Sequence, residues 1–123
     1  MKSTAISIRP FIGSKNYNTS RNFYNDLGFK EVVISEKMSY FSIGEFGFYL
    51  QDYYAKDWID NSMVFLEFDD LEGNLKNIKS LGLTEKYDNV RLSEIKVNAW
   101  GNEFFLHDPS GILWHFGNFN TKK

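Results

Sequence analysis

Apolar and polar positions along this chain fall into two matching series of short periodic segments. Residues 5–12, AISIRPFI, are rich in β-branched and aromatic side chains and predict a strand. Pro10 places that strand at a sheet edge or at the end of its pairing. The polar stretch GSKNYNTS follows, and Asn18, Thr19 or Ser20 is the expected cap of a helix. That helix turns Phe23, Tyr24 and Leu27 inward and stops at Gly28. Strands are then expected over 29–35, 39–43 and 47–51, separated by short polar or glycine-containing turns. From Ser62 the order begins again. SMVFLEF predicts a strand, Asp69 and Asp70 are capping candidates, and Leu71, Leu75, Ile78 and Leu81 make an apolar helical stripe ending at Gly82. Further strands are expected around 83–86, 93–97, 103–107 and 112–116. Residues 52–61 read as a linker.

The order βαβββ therefore occurs twice, and the two helix ends spell alike: Leu27-Gly28-Phe29 and Leu81-Gly82-Leu83, with Gly82 lying 54 residues after Gly28. Internal similarity of this kind marks duplicated units that share a core. The expected fold is α+β, two βαβββ modules forming a cup-shaped mixed β-sheet with helices on its outer face. One domain spans 1–123, with module 1 over about 5–51 and module 2 over about 62–119. Side chains alternate along strands. Val64, Leu66 and Phe68 are uniformly apolar and are assigned to the helix side, so Met63, Phe65 and Glu67 face the cup. The repeat offset aligns Met63 with Arg9. Arg9 and Phe11 then face the cup, and Ile8, Pro10 and Ile12 face the helices. By the same parity Tyr49, Gln51, Leu113 and His115 face the cup, while Phe48, Leu50, Ile112, Trp114 and Phe116 form the core.

Composition narrows the function. The chain has 42% hydrophobic and 18% aromatic residues, with 12 Phe, 7 Tyr and 3 Trp. One small core can hardly hide that much aromatic surface, which points to an aromatic pocket or a subunit contact, beside the plainer reading of an aromatic-rich core. Net charge is −2, and the only basic run is Lys122-Lys123, so nucleic acid is not an expected partner. Without cysteine, disulfides, thiolate catalysis and sulfur-based zinc sites are excluded. No stretch has the length of a signal peptide core or a membrane helix, and a soluble cytoplasmic protein is the expectation. No Ser/His/Asp set or phosphate-binding glycine loop is readable. Gly44-Glu45-Phe46-Gly47 is a hairpin turn, and Asp69-Asp70 is accounted for by helix capping.

With the repeat in view, the chain resembles the glyoxalase / bleomycin-resistance / dioxygenase superfamily, the vicinal oxygen chelate fold. The likeness is carried by Arg9–Phe29 with Phe23-Tyr24 and Leu27-Gly28-Phe29, by Met63–Asp70 with the stripe to Gly82, and by Trp100-Gly101 through Asp108-Pro109-Ser110-Gly111 to His115-Phe116. The resemblance implies metal-ligand positions at Arg9, Met63 and His115, with a fourth at Tyr49 or Gln51. Arg9 is a fixed cation and Met63 a soft thioether, and a catalytic site needs about three protein ligands. The resemblance is therefore to the metal-free bleomycin-resistance branch: a small-molecule binding protein, with no cofactor, that sequesters an aromatic or glycopeptide-like ligand in the cup of a homodimer. The expected ligand-binding residues are Arg9, Phe11, Tyr49, Gln51, Met63, Phe65, Trp100 and His115. The alternative is a metal-dependent glyoxalase-like lyase, isomerase or dioxygenase.

The residues of FFLHDPSGILWHFGNF, 104–119, divide between the two kinds of role. His115 is assigned to the pocket as a hydrogen-bonding group, against a structural role at the sheet edge. His107 is expected as an exposed turn residue, and Asp108 as the side chain that caps the turn. Arg9 is expected to pair with Glu67 across the cup in preference to an anionic ligand group. Trp100 is either a stacking platform or plain packing, and Trp58 is placed at the pocket rim or subunit contact.

Overall fold

The structure, a computed structural model, describes residues 3–120; the Lys122-Lys123 tail lies outside them. The first helix is α1 (Tyr17–Leu27), and its cap lies two residues before Asn18, the first of the expected caps. Asn16 is its cap and accepts from the Thr19 N–H at 3.1 Å. Gly28 ends it with φ of 108°, a left-handed conformation that an L side chain resists. Phe23 and Tyr24 are fully buried, as the apolar spacing requires.

Four strands follow this module's pattern: β1 (Phe11–Ile12), β2 (Lys30–Ser35), β3 (Met38–Ile43) and β4 (Phe46–Gln51). They form one sheet in the order β1-β4-β3-β2, with β1 parallel to β4 and the rest antiparallel. β1 is shorter than the expected 5–12. Pro10 has no N–H to donate to the ladder, and N-terminal to it the chain leaves the sheet. Residues 3–10 are exposed, and Ile8, expected to face the helices, is 93% exposed, with Ile6 at 91%.

The linker holds a short helix, α2 (Lys56–Asp60), whose Ile59 is buried in the core. Module 2 then supplies β5 (Met63–Glu67) and α3 (Leu71–Ser80). Asp70 caps α3 by accepting from the Gly73 N–H at 3.0 Å. Leu71, Leu75 and Ile78 are buried, but Leu81 lies past the helix end and is exposed, so the stripe is one residue shorter than its spacing suggests. Residues Leu83–Lys86, expected as a strand, form a one-turn helix, α4. Gly82 at φ of 66° starts a new turn, and Leu83 still reaches the core. The remaining strands are β6 (Arg91–Leu92), β7 (Lys96–Val97), β8 (Gly101–His107) and β9 (Leu113–Phe119). They form a second sheet in the order β5-β9-β8-β6, with β7 also on β8.

The α+β class follows from this arrangement, with the strands distributed over two mixed sheets. The core joins both modules: Phe23, Tyr24, Phe41, Phe48, Leu50, Phe104 and Trp114 are each no more than 2% exposed. Full burial of such a side chain contributes about 1.5–3 kcal/mol. No helix among the described residues is long and apolar enough to cross a membrane.

The closing hairpin is held from inside. Asp108 Oδ1 accepts from the backbone N–H groups of Ser110, Gly111 and Ile112, each at 2.9 Å. Its Oδ2 accepts from Tyr24 Oη at 2.7 Å, and that hydroxyl in turn accepts from Trp114 Nε1 at 2.9 Å.

Candidate functional site

The outward sides of the two sheets each carry an aromatic cluster, and the alternation of each strand decides its members. On the first sheet, Arg9 Nη1 donates to Tyr49 Oη at 2.9 Å, and its guanidinium carbon lies 4.3 Å from the centre of the Tyr40 ring. Phe11 stacks on Tyr49 with centroids 4.9 Å apart, and Tyr40 lies 5.3 Å from Tyr49. Phe11 and Tyr49 are register partners across β1 and β4, as are Tyr40 and Tyr49 across β3 and β4. Gln51 continues the outward face of β4.

On the second sheet, His115 is central. Its register partners are Phe65 on β5 and Phe105 on β8. Nδ1 lies 3.0 Å from Glu103 Oε1, and Nε2 lies 3.4 Å from Met63 Sδ. Phe65 stacks on Phe119 at 5.4 Å, and Trp100 closes the group at 5.4 Å from Phe119 and 6.1 Å from Phe65. Met63, Phe65 and Trp100 are all exposed to solvent.

Glycines in equivalent strands make both clusters flat. A Cβ at Gly117 of β9 would fall 2.6 Å from the Phe65 ring, and one at Gly47 of β4 would fall inside the Tyr40 phenol. Each ring therefore lies along its sheet over a residue with no side chain.

The eight expected site residues thus divide equally. Arg9, Phe11, Tyr49 and Gln51 belong to the first face, and Met63, Phe65, Trp100 and His115 to the second. None of the contacts given above joins one face to the other. Arg9 does not form the expected pair with Glu67: β1 and β5 are in different sheets, and Arg9 is held by the two tyrosines. An open cleft of about 650 Å³ does run between the modules, lined by Phe48, Val64, Leu66 and Trp114 from the core side. Of the eight residues only Phe65 lines it.

Trp58 packs over Gly13 and 5.9 Å from Tyr53 within its own chain. His107 is a half-buried strand residue rather than an exposed turn residue, and burial together with nearby Arg91 lowers its pKa. The alternation that places Tyr49 outward also places its neighbour Tyr40 there, and the alternation through Phe104 and Leu106 places Glu103 beside His115. Both were readable once the strands were paired, but pairing is not visible in a single sequence.

No family model matches this sequence, and no curated protein matches it. Solved structures do match the fold. A bleomycin-binding protein complexed with bleomycin is 22% identical, covers 91% of this chain and 97% of its own, and superposes with a TM-score of 0.78. A bleomycin resistance determinant encoded on the transposon Tn5 is 21% identical, with 94% and 98% covered and a TM-score of 0.80. This chain has the vicinal oxygen chelate fold. A lactoylglutathione lyase from Agrobacterium tumefaciens shares it at 14% identity and a TM-score of 0.69, with 94% and 96% covered. At these identities the likeness is one of fold.

The resemblance drawn from the sequence implies metal-ligand positions at Arg9, Met63, His115 and Tyr49 or Gln51. The residues present do not suit a divalent ion. Arg9 is a cation already bonded to Tyr49. Nδ1 of His115 is engaged by Glu103, and the nearest donor to Nε2 is the soft sulfur of Met63. Among the described residues no three His, Cys, Asp or Glu side chains converge on one point.

Proposed function

We propose that this protein binds a small aromatic molecule reversibly and without a metal, protecting by sequestration in the manner of a bleomycin-resistance protein. The observation that carries the reading is the pad that exposed Phe65 and Trp100 form with Phe119 beside the Glu103–His115 pair. Flat π-faces for stacking next to a few fixed hydrogen-bonding groups are the composition of a ligand site. A solved protein of the same fold holds bleomycin, which supports a drug-like cargo.

The site is completed, on this reading, in a homodimer. Ile6 and Ile8 project from an extended arm in which residues 3–10 form no strand, while β5 is the terminal strand of its sheet among the described residues, beside the apolar cleft. Exchange of such arms between two copies would cover the isoleucines and bring an outward face of one copy near that of the other.

Calorimetric titration with bleomycin, together with thermal-shift screening of aromatic antibiotics, tests the function. Binding of at least one compound, weakened by Trp100→Ala and by His115→Ala, is expected. A silent screen would remove the sequestration reading. Elemental analysis after mild purification separates the metal-dependent lyase, isomerase or dioxygenase: stoichiometric Ni, Zn, Mn or Fe lost in His115→Ala would favour it.

A further inference from the structure

The two outward faces differ in charge. Strands β1 to β4 contain one acidic residue, Glu31, and it points to the helix side, where it meets Arg21 at 2.7 Å and Ser39 at 2.6 Å. The outward face of that sheet carries Arg9 and Lys30 and no strand carboxylate, on a chain whose net charge is −2. Arg9 is also fixed. One of its N–H groups is bonded to Tyr49, the guanidinium lies over Tyr40, and Phe11 extends the aromatic floor. A guanidinium has five donors. Among the described residues Arg9 has no carboxylate within ion-pair distance. Arg9 is exposed, and its guanidinium rests on an aromatic platform with donors to spare, an arrangement that suits a planar oxyanion.

The geometry points to an anionic cargo: a flat apolar body on the aromatic floor and a carboxylate, or an oxyanion of similar shape, on the Arg9 guanidinium. This deepens the proposed small-molecule function and rests on it. It also separates the ligand from cationic glycopeptides, which Arg9 and Lys30 would repel.

Three probes of one size and different charge test it on the full chain: naphthoate, naphthylmethanol and naphthylmethylammonium, by calorimetry at low and high salt. Naphthoate is expected to bind about tenfold more tightly than the neutral alcohol, with the ammonium weakest and the preference shrinking as salt rises. Arg9→Gln should abolish the preference at an unchanged thermal midpoint, and Arg9→Lys should restore part of it. Equal binding of all three probes would overturn the anionic cargo and leave the sequestration reading standing. A preference that survives in Arg9→Gln would overturn the role of Arg9. Absence of binding by all three would overturn the inference as well, and the antibiotic screen then decides the wider reading. If Arg9→Gln instead converts a dimer to a monomer in sedimentation, Arg9 belongs to a subunit contact and the inference fails.

Discussion

Asp108 is wholly buried and satisfies four donors: three consecutive backbone N–H groups and the Tyr24 hydroxyl. Burial nevertheless dominates its titration and raises its pKa from the ordinary 3.8 to about 6. Its proton is then held more tightly in the folded chain than in the unfolded one. The stability linked to this group is full below about pH 4, declines as pH rises towards 6, and is flat above. Urea unfolding across that window should show the decline, and Asp108→Asn should remove it; equal slopes in both proteins would refute the assignment. Asp108→Ala strands the same four donors and should cost about 3–5 kcal/mol or prevent folding. Tyr24→Phe strands the Trp114 N–H and one carboxylate oxygen, and about 1–3 kcal/mol is expected from chemical denaturation. The Asp-Pro-Ser-Gly signal disclosed the turn. It did not disclose Tyr24 as the fourth donor, because that contact joins residues 84 apart in sequence.

At the scale of elements, the local signals were legible and the long-range ones were not. Apolar spacing places α1, α3 and most strands, since a buried face imposes its period on the sequence. Leu83 is the repeat counterpart of Phe29, and both prove to be buried. The repeat misassigns the backbone there: LTEK has helix-favouring residues and no alternating β-branched pattern, so the segment coils into α4. The first-sheet strand AISIRPFI has the right residue types, yet Pro10 ends its ladder and Ile6 and Ile8 find no sheet of their own. The division of the candidate site over two sheets was hidden for the same reason. Helix caps provide a direct test. Asn16→Ala and Asp70→Ala should each cost about 1 kcal/mol. Both losses would appear as a lower urea midpoint at constant slope, and no loss in Asn16→Ala would show that α1 is held by packing alone.

For the whole molecule, the exposed arm and the open cleft make association the main question. Ile6→Asp with Ile8→Asp should shift the protein to a monomer in sedimentation velocity while its far-ultraviolet circular dichroism stays native, because neither side chain contributes to the core of its own chain. A dimer that survives both substitutions would place the subunit contact elsewhere, and a monomeric native protein would remove the shared cup. The exposed Val32, Val33 and Ile34 on edge strand β2 would then be the next surface to examine.

The rings of Phe65 and Tyr40 lie over Gly117 and Gly47, confined on one side by backbone. A side chain so confined has already given up most of its rotational freedom in the empty protein. Ordering a free side chain on binding costs about 0.5–1.5 kcal/mol, and these two rings avoid most of that cost. Alanine at Gly117 should tilt Phe65 away and weaken binding of the compound whose binding Trp100→Ala and His115→Ala weaken, with a larger entropic penalty in calorimetry, while stability changes by about 1 kcal/mol or less. The same confinement limits the repertoire of cargo: walls that cannot rearrange select for flat molecules and discriminate against bulky, contoured ones.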